Sequence, residues 1–214
     1  MPKTAQVPTE LREFNSLFSS LCYKYDAARV FDDFLTLVIC CLARQTQEDW
    51  YHDTIRKYDE DEINIFPKLL GSLFIIYEKN KMENKWCDPL GTYYELLSGR
   101  FKKSNFGQFF TPEALCDMIA QMMIPEDTFG KNILEPACGS GRIILASNHR
   151  SKGNHYTAVD LDAVCVKMTC INLAFHGVRA DVYQKNFLNE QEPFEVFTVN
   201  SDYYKTQTPF IYRH

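Results

Sequence analysis

The sequence predicts an α/β protein whose sheet is mainly parallel and doubly wound, preceded by an all-α N-terminal domain. Three observations carry this prediction. Apolar residues recur at helical spacing between residues 9 and 104, strands and helices alternate after residue 105, and a short apolar strand runs into the glycine loop 136–141. Repeated strand and helix units of this kind build parallel sheets that are covered by helices.

The composition fits one folded domain with a smaller appendage. The chain has 214 residues, of which 45% are hydrophobic and 14% aromatic, so it can bury a substantial core. Its formal net charge is −5, with 23 basic and 28 acidic residues, which excludes the strongly basic body of a protein that holds nucleic acid by charge alone. Any contact with nucleic acid is therefore expected to be local.

The eight cysteines indicate a reducing compartment. They contain no Cys-x-x-Cys pair, and the five histidines do not have zinc-ligand spacing beside them, so we expect free, mostly buried thiols and no metal site. The N-terminus lacks a basic segment that leads into an apolar run, and the longest apolar stretch, 37–43, is far shorter than the roughly 20 residues of a membrane span. We therefore expect a cytoplasmic protein without a membrane span.

The N-terminal domain, 1–104, is predicted to contain two helices with apolar stripes that face its core. The striped residues are Phe31, Phe34, Leu35, Val38 and Leu42 in the first helix and Phe66, Leu69, Leu70, Leu73, Ile76 and Tyr77 in the second. A third, shorter helix is expected over 90–97, ending at Ser98 and Gly99 before a polar connector.

The second domain, 105–214, is predicted to begin with a helix that Thr111 caps, with Pro112 and Glu113 in its first turn. The residues on one apolar face of this helix are Leu115, Met118, Ile119 and Met122. Further helices are expected after residue 141 and over 163–175. The four predicted strands cover 132–135, 156–160, 181–184 and 194–199, and we expect them to be parallel.

Acidic residues close the first two strands. Glu135 comes directly before the loop Pro136-Ala-Cys-Gly-Ser-Gly141, and Asp160 ends the second strand. Ligands of such sheets bind beyond the carboxyl ends of the strands, so we expect both carboxylates at one site. An acid before the loop suits a cationic group rather than the pyrophosphate of a dinucleotide, whereas Asp160 suits two ribose hydroxyls and Leu161 an adenine ring. The residues therefore predict an adenosine ligand that carries an ammonium group.

Four stretches of the sequence stand out together. They are Asp88-Pro-Leu-Gly-Thr-Tyr-Tyr-Glu-Leu-Leu97, Gly107-Gln-Phe-Phe-Thr-Pro112, Ile133-Leu-Glu-Pro-Ala-Cys-Gly-Ser-Gly141, and Ala158-Val-Asp-Leu-Asp162 with Asn172-Leu-Ala-Phe-His-Gly177. In this order they resemble the S-adenosylmethionine-dependent methyltransferases, and in particular the adenine-specific DNA methyltransferases related to the modification subunit of type I restriction systems. The resemblance covers about residues 88–204. It implies a Rossmann-like methyltransferase sheet, S-adenosylmethionine as cofactor, and methyl transfer to the exocyclic amine of adenine in DNA.

The resemblance also implies which residues bind the cofactor. Phe109, Phe110 and Thr111 would touch its methionine end, Glu135 would bind its ammonium group, and Asp160 would hold the ribose. Asn186 stands where the family usually carries an acid that contacts the exocyclic amine of the cofactor's adenine. The amide oxygen of Asn186 can accept a hydrogen bond from that amine. The implied cofactor-binding set is Phe109, Phe110, Thr111, Glu135, Pro136, Ala137, Cys138, Gly139, Gly141, Asp160, Leu161 and Asn186.

The catalytic position implied by the resemblance directly follows the fourth strand, and there the chain departs from the family. The family carries Asn or Asp, two prolines and an aromatic residue, whereas this chain has Asn200-Ser201-Asp202-Tyr203. Asn200 would accept a hydrogen bond from the target amine, and Tyr203 would stack on a base turned out of the duplex. Without the prolines, a backbone acceptor loses its fixed geometry, which can cost on the order of 10² to 10³ in rate.

The methyltransferase sheet is expected to be cut short, because only eleven residues follow Tyr203 whereas the family continues with further strands and a region that recognises DNA. Binding to DNA is therefore expected to require a recognition subunit or a further domain. An open sheet edge also favours a homo-oligomer or another partner. The scattered basic residues that we expect on the solvated surface are Lys102, Lys103, Arg142, Arg150 and Lys152.

Two alternative functions stay open. The first is a catalytically silent subunit or degenerate methylase that binds S-adenosylmethionine and needs a partner, which Ser201-Asp202 and the short sheet favour. The second is a methyltransferase that acts on protein glutamine or on RNA, since such enzymes use a similar catalytic tetrad; the stretch 107–112 argues against it. An assay of methyl transfer to unmethylated DNA separates these functions.

Overall fold

The computed structural model describes residues 1–98, 109–189 and 191–214. Its helices α1–α10 span Arg12–Leu21, Ala27–Leu42, Glu48–Ile55, Glu60–Ile63, Ile65–Met82, Pro89–Ser98, Glu113–Met123, Arg142–Arg150, Ala163–Phe175 and Tyr203–Thr206. Its strands β1–β5 span Asn132–Glu135, His155–Asp160, Arg179–Gln184, Glu195–Val199 and Ile211–Arg213. The expected domain boundary near residue 105 lies outside the described residues, as do Gly99, Lys102, Lys103, Gly107 and Gln108.

The predicted helical stripes face the core of the N-terminal layer. The buried members are Phe31, Phe34, Leu35 and Val38 in α2 and Phe66, Leu69, Leu73, Ile76 and Tyr77 in α5, while Leu42 and Leu70 are half-buried. Helix α6 joins this core through Tyr93, whose ring centroid lies 4.8 Å from that of Phe14 and 5.4 Å from that of Phe18. Edge-to-face contacts of this kind add to the burial of apolar surface, so the helices form one packed layer.

Helix α9 connects the helical layer to the sheet. Lys167 on α9 is 7% exposed, and its Nζ donates to Asp32 Oδ1 at 2.6 Å and to Thr36 Oγ1 at 3.0 Å on α2. Tyr77 on α5 donates from its hydroxyl to Asn172 Oδ1 at 2.6 Å. The buried residues of the helical layer and of the sheet belong to one hydrophobic cluster. The helical layer therefore packs directly on the helix that lies behind the sheet.

The first three strands confirm the predicted parallel core of an α/β fold. β1 pairs parallel with β2, and β2 pairs parallel with β3, with α8 and α9 as the two crossover helices. The strand order of the sheet, β1-β2-β3-β4-β5, follows the sequence. One face of the sheet carries buried residues such as Tyr156 and Val182, whereas Leu134 and Tyr212 on the other face are 52% and 40% exposed.

The fourth strand is antiparallel, so the prediction that it would be parallel was wrong. β4 pairs with β3 in a register that runs from Gln184↔Glu195 to Ala180↔Val199, and β5 is antiparallel to β4. The described residues between β3 and β4 form no helix, and the N–H of Phe194 donates to the carbonyl of Gln184 at 2.8 Å. A parallel return needs a crossover of a dozen or more residues. The carboxyl end of β4 therefore lies at the opposite end of the strands from the carboxyl ends of β1 and β2.

Helix α7 packs with a face other than its apolar stripe. Leu115, Met118 and Met122 are 40%, 50% and 76% exposed, whereas Cys116 and Ala120 are buried against α8. The smaller side chains let the two helices approach closely, which ridges-into-grooves packing requires at the contact. The stripe of larger residues is consequently left on the surface.

Candidate functional site

The glycine loop connects the end of β1 to the start of α8. Gly139 and Gly141 have φ angles of 55° and 92°, in the left-handed region that glycine adopts without steric cost. A Cβ atom on Gly139 would lie 2.9 Å from the ring of Phe110, so glycine also lets that ring close onto the loop. The N–H of Cys138 donates to the carbonyl of Val159 at 2.9 Å, which ties the loop to β2. The loop is therefore a fixed backbone cradle beside the ends of two parallel strands.

Asp160 ends β2 and holds the glycine loop in place. Its Oδ2 accepts from the N–H of Gly139 at 2.9 Å, and its Oδ1 accepts from the N–H of Asp162 at 2.9 Å. Asp162 in turn caps α9 by accepting from the N–H groups of Val164 and Cys165 at 2.7 and 3.2 Å. Each carboxylate oxygen has a further lone pair, so Asp160 can also accept hydrogen bonds from ligand hydroxyls.

Glu135 ends β1, and its carboxylate turns back toward the loop. Its Oε1 accepts from the N–H of Ala137 at 3.2 Å. Burial raises the pKa of the Glu135 carboxyl; the bond from Ala137 opposes this shift and the charge of Asp160 adds to it. A cation placed between the two carboxylates would favour the ionised form of Glu135. The electrostatics of the loop therefore suit a positively charged ligand group.

A cleft of about 210 Å³ opens between the glycine loop and the segment Phe109–Thr111. Phe110 is half-buried against Gly139, while Phe109 is 92% exposed. Pro112, rather than Thr111 as predicted, is the N-cap of α7, because the helix begins one residue later at Glu113 and no side chain caps it. The residues that line the cleft are Phe109, Phe110, Thr111, Ala137, Cys138, Gly139, Ser140, Arg142, Ile143 and Asp160.

Arg142 lies in the wall of the cleft, which corrects the expectation that it belongs to the solvated surface. Its side chain is 7% exposed; Nε donates to Asp88 Oδ2 at 2.6 Å, and Nη2 donates to Glu95 Oε2 at 2.9 Å. The guanidinium carbon lies 5.4 Å from the ring centroid of Phe110. The sequence signals were an arginine directly after the loop and two acids in the stretch 88–97, but their pairing across about 50 residues is visible only in the fold.

The other basic residues differ in exposure. Lys152 is exposed, as expected. Arg150, at the end of α8, is half-buried, and its Nε donates to the carbonyl of Ile124 at 2.5 Å. This residue therefore fastens the connection between α7 and β1 and is only partly available to solvent.

Leu161 and Asn186 lie beside Asp160 rather than in the wall of the cleft. Leu161 follows directly and is 59% exposed. The N–H of Lys185 donates to the carbonyl of Asp160 at 2.8 Å, so the chain passes Asp160 immediately before Asn186. The Oδ1 of Asn186 accepts from the N–H of Leu188 at 3.0 Å, which forms a tight turn. Both residues therefore border the end of β2.

Asn200 directly follows β4 and is fully buried at the end of the strands that lies opposite to the glycine loop. Its Nδ2 lies 3.1 Å from each of the carbonyls of Leu173, Ala174 and Val178, and its Oδ1 accepts from the N–H of Phe210 at 3.0 Å. Its φ angle of 56° is left-handed, a conformation that asparagine tolerates better than most residues. In this arrangement the side chain satisfies the end of α9 and the connection from β4 to β5.

Tyr203 begins α10 close to Asn200. Its ring lies against Gly177, where an added Cβ atom would collide with the ring. The antiparallel direction of β4 thus places both predicted catalytic residues away from the glycine loop. The predicted cofactor residues that meet at the loop or its border are Phe109, Phe110, Thr111, Glu135, Pro136, Ala137, Cys138, Gly139, Gly141, Asp160, Leu161 and Asn186.

Three further features of the described residues concern metal ligands, membrane-spanning helices and cysteines. Within the described ranges, no group of three or more His, Cys, Asp and Glu side chains is arranged to hold a metal ion. No helix in the same ranges combines the length and apolar character that crossing a membrane requires. All eight cysteines are free thiols, and five of them are buried.

A family comparison matches the part of the chain that carries this geometry. The profile of the N-6 DNA Methylase family covers residues 85–210, which is more than half of the chain. The chain belongs to this family. The matched range contains the glycine loop, both strand-end acids and Asn200, as well as Asp88 and Glu95, to which the sequence had given no role.

Curated proteins similar to this member of the N-6 DNA methylase family include methylase subunits of type I restriction enzymes and a type II methyltransferase. The type I restriction enzyme MjaIX methylase subunit of Methanocaldococcus jannaschii is 26% identical over 110 residues, which are 47% of this chain and 19% of that protein. The type II methyltransferase M.MamI of Microbacterium ammoniaphilum is 30% identical over 108 residues, 46% of this chain and 30% of that protein. The chain thus spans less than a third of the length of either relative.

A solved structure similar to this family member is also a methylase subunit. It is the crystal structure of the type I restriction-modification system methyltransferase subunit from Streptococcus thermophilus. The two chains superpose with a TM-score of 0.48 at 15% sequence identity, over 87% of this chain and 60% of that chain.

Proposed function

We propose that the chain binds S-adenosylmethionine in the cleft at the glycine loop and acts in the transfer of its methyl group to the exocyclic amine of adenine in DNA. The observation that carries this proposal is the pair of strand-end acids at a glycine loop, within a chain of the N-6 DNA methylase family. The names of its curated relatives support a role in restriction-modification.

The donor groups at the loop fit this cofactor. S-adenosylmethionine carries two positive charges, on its sulfonium and its ammonium group, and one carboxylate. Glu135, whose carboxyl is costly to ionise without a cation nearby, is assigned to the ammonium group. Asp160 is assigned to the ribose hydroxyls, Leu161 and Asn186 to the adenine, and Phe109–Thr111 to the methionine end. Gly139 and Gly141 leave the backbone accessible at the loop.

The bound cofactor supplies an activated methyl group, so the protein contributes mainly position and shielding. Phe110 packs on Gly139 and closes one side of the cleft, while Asp160 fixes the loop through the N–H of Gly139. Holding two reactants at fixed geometry can lower a barrier by roughly 7–11 kcal/mol. The adenine must leave the helical stack to reach the cleft, and exposed Phe109 offers a flat apolar surface at its rim.

The catalytic roles of Asn200 and Tyr203 stay a prediction. In the geometry described above, Asn200 binds the end of α9 and Tyr203 covers Gly177, so neither side chain reaches the cleft. Transfer through these residues would require β4 to pair elsewhere in the sheet. This observation favours the second candidate function, a cofactor-binding subunit that is catalytically silent alone and acts with a partner.

We further propose that recognition of DNA resides in another subunit or region, in a cytoplasmic assembly that includes either a partner or a second copy of the chain. The net charge of −5 supports this division of labour, because the chain lacks the overall positive charge that nonspecific DNA binding uses. The division into a helical domain, 1–104, and a methyltransferase domain, 105–214, belongs to the same proposal. No step of the proposed reaction uses a metal ion.

Calorimetric titration of the purified chain with S-adenosylmethionine tests the cofactor site. We expect micromolar binding, about −8 kcal/mol, which the double variant Glu135→Ala with Asp160→Ala abolishes. The matched control replaces Glu126 and Asp127, an exposed acidic pair before β1, by alanine. It removes the same charge without touching the cleft and should bind as the wild type does. Equal binding by both double variants would refute the site.

Transfer of radioactive methyl groups to unmethylated DNA then separates the two candidate functions. Labelled adenine after incubation with the chain alone supports the methyltransferase. Cofactor binding without transfer, together with transfer when a recognition subunit is added, supports the silent subunit. Transfer to protein glutamine or RNA in place of DNA would overturn both.

A further inference from the structure

Two acids, Asp88 directly before α6 and Glu95 within α6, bind both walls of the cleft and share Arg142 as a partner. Asp88, 1% exposed, accepts from the Ser140 hydroxyl at 2.6 Å and from Arg142 Nε at 2.6 Å. Glu95 accepts from Arg142 Nη2 at 2.9 Å and from the N–H of Phe110 at 3.1 Å. The stretch 88–97 therefore touches the glycine loop on one side of the cleft and the aromatic segment on the other.

The donors of Arg142 show how closely it is held. A guanidinium has five N–H donors. Among the described residues, four of them have acceptors: Asp88, Glu95, Thr92 Oγ1 at 3.5 Å and the carbonyl of Thr111 at 3.4 Å. The side chain thus spans from α6 to the segment that closes the cleft, and a lysine, with one nitrogen, cannot reproduce these contacts.

Asp88 is shared by several chain segments. Its Oδ1 accepts from the N–H of Gly91 at 2.7 Å and from Asn172 Nδ2 at 2.7 Å, in addition to the bonds of its Oδ2. A Cβ atom on Gly91 would collide with Asp88 and lie 2.6 Å from Ser140 Oγ, so glycine is needed where α6 meets the loop. Buried charges need this degree of hydrogen bonding, because a carboxylate without partners is strongly destabilising.

These contacts involve four residues that line the cleft. They are Phe110, Thr111, Ser140 and Arg142, which we assign to the methionine end of the cofactor, whereas the described hydrogen bonds of the Asp160 side chain are to the N–H groups of Gly139 and Asp162. We propose that Arg142, held by Asp88 and Glu95, is a positioning residue that fixes Phe110, Thr111 and Ser140 for the amino-acid end of the cofactor. This inference rests on the proposed cofactor site.

The test compares two ligands that differ only at that end. S-adenosylhomocysteine carries the amino-acid group, and 5′-methylthioadenosine lacks it. We expect Arg142→Met to weaken calorimetric binding of S-adenosylhomocysteine at least tenfold, which corresponds to about 1.4 kcal/mol, and to change binding of 5′-methylthioadenosine less than twofold. Arg142→Lys should behave like Arg142→Met, because the loss concerns the fork of donors and not the charge. Arg150→Met, at the other end of α8, is the matched control and should leave both affinities unchanged.

Each outcome decides between distinct explanations. Equal losses for the two ligands, or no loss for S-adenosylhomocysteine, would overturn the positioning role while the cofactor site stands. A wild-type chain that binds neither ligand would overturn the proposed cofactor site and this inference together. Glu95→Gln is the second variant if Arg142→Met fails to fold: its side chain is 30% exposed, and the amide can still accept from Phe110 but not hold the guanidinium as an ion pair. It should show the same contrast between ligands.

Discussion

Replacing Asn200 by alanine should destabilise the fold strongly. The substitution removes two N–H donors and one carbonyl acceptor that bind the end of α9 and the N–H of Phe210. At about 1 kcal/mol for each buried hydrogen bond, the side chain contributes about 3 kcal/mol. Alanine at a φ angle of 56° adds about 1 kcal/mol of backbone strain. The expected loss is therefore about 4 kcal/mol, or nearly a thousandfold in the ratio of folded to unfolded chains.

Urea denaturation followed by circular dichroism measures this loss. The control is Asn186→Ala. Asn186 is half-buried, and among the described residues its side chain makes one hydrogen bond, within a surface turn, so this variant should lose less than about 1 kcal/mol. A loss of stability for Asn200→Ala as small as that of the control would refute the buried role. If the same variant kept its stability and lost methyl transfer, Asn200 would belong to the active site, as the sequence resemblance implies.

Three further predictions concern the cleft and the helical layer. Affinity for S-adenosylmethionine should rise as pH increases from 4.5, the ordinary pKa of a glutamate carboxyl, through the raised pKa of Glu135. In calorimetry, Glu135→Gln should give an affinity that does not change with pH over this range. Thermal stability without ligand should fall as pH rises, because the fold favours the protonated form of the Glu135 carboxyl. The stability that this carboxyl contributes is complete below its ordinary pKa and is lost as pH rises through the raised pKa. Gly139→Ala should weaken cofactor binding at least tenfold, since its Cβ atom meets Phe110 at a left-handed φ; unchanged affinity would contradict the described loop. Asp32→Ala should cost about 2 kcal/mol in thermal unfolding, because it leaves Lys167 nearly buried without its carboxylate, an effect reduced by the 40% exposure of Asp32; a loss no larger than that of a surface variant would contradict the packing of α2 on α9.

The sequence predicts those parts of the site that local rules determine. Glu135 and Asp160 were expected near each other because both end neighbouring parallel strands, and the structure brings their backbone and side chains to the same loop. Gly139 and Gly141 were placed in the cofactor-binding set by the family resemblance, and in the structure both have positive φ angles. Each of these inferences needed no more than the order of residues along a short stretch.

The remaining features depend on contacts between distant residues. Arg142 is 54 residues from Asp88 and 47 from Glu95, so its charge gave no sign that it would be buried. The direction of β4 depends on the length and conformation of the connection after Gln184, not on the apolar pattern of the strand itself. The packing of helix α7 could likewise not be predicted from its apolar stripe, because the smaller side chains of Cys116 and Ala120 pack more closely on α8 than the larger apolar residues would.

The strand order places the proposed cofactor site beside an outermost strand of the sheet. β1, which carries Glu135 and the glycine loop, is the outermost strand, and no described strand pairs with its free side. Edge strands open locally at lower free energy than central ones, so the amide hydrogens of β1 should exchange faster than those of β2. A ligand that bridges Glu135 and Asp160 would join the edge strand to its neighbour and stabilise it by mass action. Slower amide exchange in β1 would therefore report occupancy of the site.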